Sequence, residues 1–296
     1  MTEVWAGSIV LPDMHNDTLA RAILETLAYS DVFDYPLRLE EIHRYLPVRA
    51  DLNAVRQALS GWQDVQAGYY HLPGRAAVVA LRAEREARSR ALLPTAVRYG
   101  RWLGALPFVR MVALTGSLAV LNAPGHADLD YLLVTARDRV WTARAFALLL
   151  NRMTPHTLCP NLLLSESSLA WPVHDLYSAR ELMQMRPITG AVVYRRLLQA
   201  NAWVQDFLPN AQNTSELPAS SRAGSLQHLF ELPLRHKLGD RLERWEMNRK
   251  IARFSKQPGF GAETVFTAEV CQGNFDQHRS HTWDRFTHRV AQFEKG

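Results

Sequence analysis

The feature that most constrains the fold of this chain is a pair of hydrophobic runs whose adjoining ends carry unusual residues. The run MVALT stops at Gly116 and Ser117, and the run DLDYLLVT opens on Asp128 and Asp130. Short apolar runs bounded by turn residues are typical of buried strands. Residues i and i+2 of a strand project to the same side, so the two carboxylates are expected to stand side by side.

Two neighbouring carboxylates repel each other unless a cation lies between them. Mg²⁺ (or Mn²⁺) takes oxygen ligands and commonly binds one or two carboxylates together with substrate phosphates. Glycine lets the backbone approach a phosphate closely, the start of a helix offers free N–H groups, and the serine adds a hydroxyl donor. The pattern therefore predicts a site for a metal-bound phosphate chain, with Asp128 and Asp130 on the metal and Gly116 and Ser117 on the phosphates.

Strands and helices alternate over residues 107–210, which we interpret as one domain. The predicted strands are FVRMVALT, DLDYLLVT and TLCPNLLLS. The predicted helices are SLAVLNA, RVWTARAFALLLNRM, SARELMQM and AVVYRRLLQANAWVQDFL. This order indicates an α+β fold in which a mixed sheet is flanked by helices.

Residues 15–75 predict a winged-helix-like module of three helices and a small hairpin. The helices are LARAILETLAY, capped at Asp17 and Thr18, followed by LRLEEIHRYL and LNAVRQALSGW, and the hairpin is DVQAGYYHLP. Two interpretations stay open for this module. Arg49 and Arg56 contact the phosphates of a nucleic-acid duplex, or the module serves only for packing or dimer contacts.

The remaining segments are expected to be helical or irregular. Residues 76–106 predict a connecting helix that Pro94 kinks or splits, residues 210–225 a polar linker, and residues 226–296 a helical C-terminal region. No apolar run reaches the ~18 residues of a membrane span, and two cysteines form neither a disulfide framework nor a metal motif. We therefore expect a cytoplasmic protein with no membrane partner. The net charge of +5 weakly favours polyanionic partners.

The central arrangement resembles the nucleotidyltransferase fold of the DNA polymerase β superfamily, in which a hydrophobic-Gly-Ser turn is followed by Asp-x-Asp. The matching residues are Gly116, Ser117, Asp128 and Asp130, within a stretch of roughly residues 108–165. More loosely, pieces such as VWTARAF and NAWVQDFLPN are similar to a bacterial group of uncharacterised nucleotidyltransferase-domain proteins. The resemblance implies that the Gly-Ser loop holds a triphosphate and that the two aspartates bind two Mg²⁺ ions. It also implies a third carboxylate, on a later strand, that helps to deprotonate the acceptor hydroxyl.

The chain departs from this pattern at the third carboxylate. The strand TLCPNLLLSE offers Asn161 where an acid is expected, and Glu166 lies at the far end of the strand. An amide oxygen can ligate Mg²⁺ but cannot act as a base. Several alternatives stay open: Asn161 or Glu166 completes the metal shell, Glu166 or Asp175 approaches from another direction, or the metal alone activates the acceptor. Arg144, on the helix RVWTARAF, is a candidate for binding the γ-phosphate or else a surface charge.

The leading hypothesis is a Mg²⁺-dependent nucleotidyltransferase with Asp128 and Asp130 as catalytic residues. It would move a nucleoside monophosphate from a nucleoside triphosphate to an unidentified acceptor and release pyrophosphate. The alternative is a catalytically degenerate nucleotide-binding or DNA-binding regulator, with nucleic acid bound by the N-terminal module. A toxin–antitoxin-type partner protein is a third class, on family analogy alone.

Overall fold

The computed structural model describes residues 18–171, 173–212 and 225–293 of the chain. Helices and strands both contribute, and the strands form one six-stranded mixed sheet and one two-stranded sheet. The α+β class expected from the sequence is confirmed at this level. No helix among the described residues is long and apolar enough to cross a bilayer.

The described residues form two compact units. The first contains the residues up to Arg82, Leu208–Ala211 and the residues from Arg285 onward. The second contains Ala83–Phe207 and, from Gln212, the described residues up to Asp284. Each unit has its own architecture. Arg49 and Arg56 belong to the first, and the residues of the predicted metal and phosphate site belong to the second.

The first unit has the three helices and the hairpin that the sequence predicts at its start. Its elements are α1 (Thr18–Asp31), α2 (Leu39–Tyr45), α3 (Leu52–Ala58), β1 (Val65–Gln66) and β2 (Tyr69–Tyr70). The predicted cap residue Asp17 lies outside the described residues. Asp51 caps α3, because its carboxylate accepts a hydrogen bond from the Ala54 N–H at 2.8 Å.

Arg82 ties the helices of the first unit to its hairpin. Its buried guanidinium donates to both carboxylate oxygens of Glu41, at 2.8 and 2.7 Å. The same group lies 4.0 Å from the ring centroid of Tyr35 and 4.6 Å from that of Tyr69. A bidentate, partly desolvated pair of this kind holds its partners in one geometry. The charges used here are therefore structural.

The second unit supplies the larger sheet and its covering helices. Its strands are β3 (Val109–Leu114), β4 (Leu129–Thr135), β5 (Leu158–Ser165), β6 (Arg186–Thr189), β7 (Thr264–Phe266) and β8 (Val270–Gly273). The helices that lie wholly within this unit are α5 (Gly116–Ala119), α6 (Val140–Asn151), α7 (Leu176–Gln184), α8 (Ala191–Ala200), α9 (Val204–Phe207), α10 (Ser225–Glu231) and α11 (Lys237–Phe254). Two further helices, α4 (Ala77–Gly104) and α12 (His278–Phe293), contribute residues to both units. Pro94 lies within α4 and does not split it.

The strand order of this sheet is β6-β3-β4-β5-β8-β7. β4 pairs in parallel with β5 and antiparallel with β3, and every other pair is antiparallel. Leu114 at the end of β3 faces Tyr131 near the start of β4. The turn that follows β3 therefore lies beside the residues that open β4.

Three expectations from the sequence are corrected by these elements. Strand β6 was not predicted, and the C-terminal region is not helical throughout, since it contributes β7 and β8 to the sheet. These strands have three or four residues, too few to show the alternation by which a strand is recognised in a sequence. They form because the edges of β3 and β5 offer unpaired backbone groups. The single helix expected over AVVYRRLLQANAWVQDFL is two helices, because the Asn201 side chain bonds to the loop at Leu169 and Trp171 instead of continuing the turn.

Both faces of the six-stranded sheet are covered at β4. On one face Tyr131 and Leu133 are fully buried in a large hydrophobic cluster. Alternate residues of a strand face opposite sides, so Asp130 shares the other face with Leu132 and Val134, which are also buried. Asp130 is the one residue of β4 that is not fully buried, because it lies at the start of the strand.

Helix α6 receives its N-terminal cap from another helix. The carboxylate of Glu243, on α11, accepts the backbone N–H groups of Trp141 and Thr142 at 2.8 and 2.7 Å. These are among the N–H groups that have no partner within a helix, and a negative charge is favourable at that end. Burial still raises the pKa of Glu243 because its effect outweighs that of the two donors. The contact fixes α11 against the first turn of α6.

Candidate functional site

Gly116 lies directly against the carboxylate of Asp130. The Thr115 N–H donates to the backbone oxygen of Asp130 at 2.9 Å, and Gly116 follows with φ of +65°. A Cβ atom at position 116 would lie 2.4 Å from Asp130 Oδ2. Only glycine fits both the left-handed backbone and this close approach. The turn and the acid that the sequence pairs are therefore in contact.

The two aspartates lie at the N-terminal end of β4, which we call the mouth of β4. Asp128 precedes the strand and is exposed, whereas Asp130 is its second residue and is half-buried. Burial, and next the negative charge of Asp128, raise the pKa of Asp130 from 3.8 to about 6. The carboxylates are thus close enough to repel each other, as the i, i+2 spacing predicts.

Asn161 reaches Asp130 because β5 bulges beside it. Tyr131 faces Pro160 and Leu132 faces Leu162, so Asn161 is an extra residue with no partner in register. Pro160 has no N–H for the ladder, and a bulge at a proline re-aims the neighbouring side chain. The Asn161 amide Nδ2 donates to Asp130 Oδ1 at 2.8 Å. The residue at the expected third position is therefore a neighbour of the pair.

Cys159 extends this group of polar side chains. Its thiol donates to Asn161 Oδ1 at 3.1 Å, and Cys159 is the partner of Asp130 in the β4–β5 ladder. Burial raises the pKa of Cys159 to about 12, with smaller contributions from the charges of Asp130 and Asp128. The Cys159 side chain is consequently a neutral thiol that orients the Asn161 amide.

The two other acids considered from the sequence have different positions. Thr135 faces Ser165, so Glu166 lies beyond the opposite end of β4 from Asp130. Asp175 caps α7 by accepting the Ser178 N–H at 2.7 Å. Glu166 is therefore away from the start of β4, and Asp175 serves as a helix cap.

Glu181, on α7, is the acid that sequence reasoning missed. Burial, and next the charge of Asp130, raise its pKa from 4.5 to about 7. The residue is half-buried, and its neighbours Arg180 and Leu182 are buried. An acid between two buried positions of a helix is the signal that could have found it, since such a carboxylate must face a polar surrounding. Glu181 thus lies within electrostatic reach of the pair.

The oxygen atoms at the mouth of β4 fit a hard dication. Asp128 and Asp130 supply two carboxylates, whereas Asn161 presents its amide nitrogen to Asp130 and its oxygen to Cys159. Mg²⁺ commonly takes one or two carboxylates with waters and phosphates in its remaining positions. Within the described part of the chain, no three His, Cys, Asp or Glu side chains are clustered as a metal site. The chain therefore offers a partial shell of the kind that a substrate completes.

Ser117 and Arg144 differ in how close they come to the pair. Ser117 follows Gly116 in α5, and its hydroxyl has no partner among the described residues. The Arg144 guanidinium lies 5.1 Å from the ring centroid of Phe254, and its Nη1 is buried with no hydrogen-bond partner in the described residues. It makes no hydrogen bond or ion pair there with either aspartate.

Lys250 joins Arg144 in a second charged group. It lies one turn before Phe254 on α11, and its side chain is only 13% exposed. Its nearest acid is Glu246 at 3.9 Å, which Arg249 already binds at 2.6 Å. Burial and the neighbouring charge of Arg144 lower the pKa of Lys250. Lys250 therefore shares a single acid with Arg249 and lies close enough to Arg144 to be repelled by its charge.

No known protein family, no curated protein and no solved structure matches this chain detectably. The resemblance to nucleotidyltransferases therefore depends on the residues of the chain and on the geometry described above.

Proposed function

We propose that the second unit is a Mg²⁺-dependent nucleotidyltransferase that moves a nucleoside monophosphate from a nucleoside triphosphate to an acceptor and releases pyrophosphate. The observation that carries the proposal is the contact between Gly116 and the Asp130 carboxylate at the mouth of β4. A close backbone approach for phosphate and a charged pair for a dication meet at one point there. A cytoplasmic location, consistent with two free cysteines, is part of the proposal.

Each residue at the mouth of β4 has a definite part in this reaction. The backbone at Gly116 and the Ser117 hydroxyl bind the β- and γ-phosphates. Asp128 and Asp130 hold Mg²⁺ (or Mn²⁺), and Asn161 orients Asp130 through its hydrogen bond. When bound, the metal offsets negative charge on the attacking and leaving oxygens of an in-line displacement.

Glu181 is the best-placed proton acceptor in the proposal. An acceptor hydroxyl must lose its proton as its oxygen bonds to the α-phosphorus and as the bond to pyrophosphate breaks. A carboxylate whose pKa is about 7 can take up that proton near neutral pH. Asn161 cannot do so because an amide is not basic.

Arg144 and Lys250 are suited to the polyphosphate tail. Both are half-buried, Lys250 shares its one acid with Arg249, and an N–H group of Arg144 has no partner in the described residues. Buried cations without sufficient counter-charge are costly, so a bound anion stabilises them. Arginine and lysine together are a common means of binding phosphate oxygens.

The test is pyrophosphate release from each nucleoside triphosphate in the presence of Mg²⁺ and a mixed pool of acceptors. We expect Asp130→Asn to slow release by at least about 10²–10³-fold, since it removes a carboxylate that would hold the metal ion, and with it the charge stabilisation of the reacting phosphate. Asp138→Asn is the matched control, because Asp138 is an exposed acid of the same unit and its loss should leave the rate unchanged. Release that survives in Asp130→Asn would refute the assignment.

A second candidate is a regulator that binds nucleotide without turnover. The observation that favours it is Asn161, an amide at the position where the resemblance implies an acid. Calorimetric binding of a nucleoside triphosphate with no pyrophosphate release would support this function. A salt-dependent shift of duplex DNA that persists after loss of both aspartates would assign DNA binding elsewhere in the chain.

A further inference from the structure

The first half of helix α11 departs from the usual amphipathic pattern, whereas Met247, Ile251 and Phe254 of its second half pack on the core. Glu243 and Glu246 point inward and are 6% and 4% exposed, whereas Leu238 and Trp245 are 64% and 59% exposed. A surface helix ordinarily buries its apolar stripe and exposes its charges. The buried acids and the exposed apolar residues of α11 therefore each need an explanation.

The inward acids are explained by contacts within their own unit. Glu243 caps α6, and Glu246 binds Arg249. Glu231, which ends α10, is fully buried and bonds to the Phe108 N–H and the Arg110 guanidinium, at 2.8 and 2.7 Å. Every acid from 225 to 256 is used in this way, since the fourth, Asp240, bonds to Arg139 at 2.8 Å.

The outward side has a continuous apolar stripe. Leu238, Leu242 and Trp245 follow one another at i, i+4 and i+7, so they lie along one line of the helix. The residues before the helix add three more exposed apolar side chains, Leu229, Phe230 and Leu232. We call Leu238, Leu242, Trp245 and these three residues the α11 outer face.

Cations border this face on both sides. Lys237, Arg241, Arg244, Arg253 and Lys256 are exposed and make no ion pair among the described residues. The guanidinium of Arg249 lies 5.1 Å from the Trp245 ring centroid. Because the acids of the segment are turned inward or paired, the outer face is apolar with a positive border.

The chemistry of the face distinguishes between possible occupants. A second copy in a symmetric contact would set positive borders against each other. Single-stranded nucleic acid uses cations and aromatic rings but has no use for a line of leucines. An anionic bilayer uses both, since acyl chains receive Leu, Phe and Trp while the headgroups attract Lys and Arg.

We propose that the α11 outer face docks on an anionic lipid surface, with α11 lying in the plane of the interface. The helix would be about 27 Å long at 1.5 Å per residue, and the exposed leucines would enter the outer part of the acyl region. The sequence expectation of no membrane partner rests on the lack of a spanning run, which a surface contact does not need. The proposal is independent of nucleotidyl transfer.

The test is flotation of the full chain with vesicles of phosphatidylcholine alone or mixed with phosphatidylglycerol. We expect binding to the mixed vesicles only, weakening as salt rises. Leu238→Ser with Trp245→Ser should reduce partitioning at least about tenfold, from the lost burial of two large side chains. Arg241→Gln with Arg244→Gln should reduce it about 25-fold, at about fivefold for each cation near a charged surface.

Matched controls separate the outer face from exposure and charge in general. Leu149→Ser removes an equally exposed leucine of α6, and Arg195→Gln with Arg101→Gln removes two exposed cations of the same unit. Both controls should bind as the unaltered chain does. Equal effects of test and control variants would overturn the proposal.

Three other outcomes would also overturn it. The first is no flotation with mixed vesicles at low salt. The second is binding of a single-stranded oligonucleotide, without flotation, that Arg241→Gln with Arg244→Gln abolishes, which would assign the face to nucleic acid. The third is self-association without flotation that Leu238→Ser abolishes, which would assign it to a second copy.

Discussion

Two buried carboxylates of the second unit have opposite surroundings. Glu231 accepts hydrogen bonds from Arg110, Arg235 and the Phe108 N–H, and these donors lower its pKa from 4.5 to about 2 in spite of its burial. Asp130 has a neighbouring acid and an amide donor, and its pKa rises to about 6. The chain itself supplies the cations that balance Glu231, whereas Asp130 would be stabilised by a cation that the chain does not supply.

This difference separates carboxylates that build the unit from those suited to a ligand. Glu263 belongs to the first kind, since it accepts the N–H groups of Arg279 and Ser280 and its pKa is lowered. Glu243 has a raised pKa although it caps α6, so burial alone can raise the pKa of a carboxylate. What marks Asp130 is a second acid beside it, and the repulsion between the two carboxylates is relieved by protonation or by a bound cation.

The largest expected effect is from Glu231→Gln. We expect it to lower the free energy of unfolding by about 3 kcal/mol at pH 7, since the fully buried side chain of Glu231 then no longer balances the charges of Arg110 and Arg235, which are themselves partly exposed. Chemical denaturation measures this, with the exposed Glu84→Gln as control, for which we expect less than about 0.5 kcal/mol.

The pH dependence of Glu231→Gln has a definite sign. The folded pKa of Glu231 lies below its ordinary value, so its stabilisation is present above pH 4.5 and is lost as the pH falls toward 2. The difference between the unaltered chain and the variant should therefore shrink below pH 4.5. A difference that stayed constant down to pH 2 would contradict the role given to this charge.

Asp130→Asn should have the opposite effect on stability. The folded pKa of Asp130 is about 6 against an ordinary 3.8, so ionisation costs stability as the pH rises between these values. We expect the variant to be more stable than the unaltered chain by up to about 3 kcal/mol at pH 8, with no difference at pH 3. Added Mg²⁺ should reduce this gain by stabilising only the unaltered chain. A loss of stability at pH 8 would mean that Asp130 is a structural carboxylate like Glu231.

Gly116→Ala tests how closely the turn approaches the acid. Both Gly116 and Gly261 have positive φ, but only at 116 would a Cβ meet another residue. We expect Gly261→Ala to cost about 1 kcal/mol for its backbone and Gly116→Ala to cost about 1 kcal/mol more. Denaturation in an Asp130→Ala background, where the obstructing carboxylate is absent, should make the two costs equal. Equal costs in the unaltered chain would show that the carboxylate moves aside freely.

The smallest expected effect is on the titration of Glu181. The charge of Asp130 is the second cause of its raised pKa, after burial. In Asp130→Asn we expect the pKa of Glu181 to fall toward its ordinary value, a change worth less than about 1 kcal/mol. Carboxyl carbon NMR measures this, and Asp138→Asn should leave the titration unchanged. An unchanged pKa in Asp130→Asn would separate Glu181 from the pair.

Local pattern was sufficient for most of the elements and for half of the site. The apolar runs around Gly116 and Asp130 predicted β3 and β4, and Asp51 predicted the start of α3. These features depend on residues that are neighbours in the chain. Glu181 was missed because the local signal, an acid between two buried positions of a helix, does not say which charged group lies near it; the effect of Asp130 depends on how α7 packs.

By itself, the sequence determined that two carboxylates share one side of a strand and that a glycine turn precedes them. Only the tertiary structure decided that the turn touches Asp130, that a bulge at Pro160 turns Asn161 toward it, and that the C-terminal region completes the sheet. The physical reason is how far apart in the chain the interacting residues lie. Helix periods, caps and strand alternation act over a few residues, whereas the strand order also depends on segments that are distant in the chain, as where Leu162 of β5 pairs with Gln272 of β8.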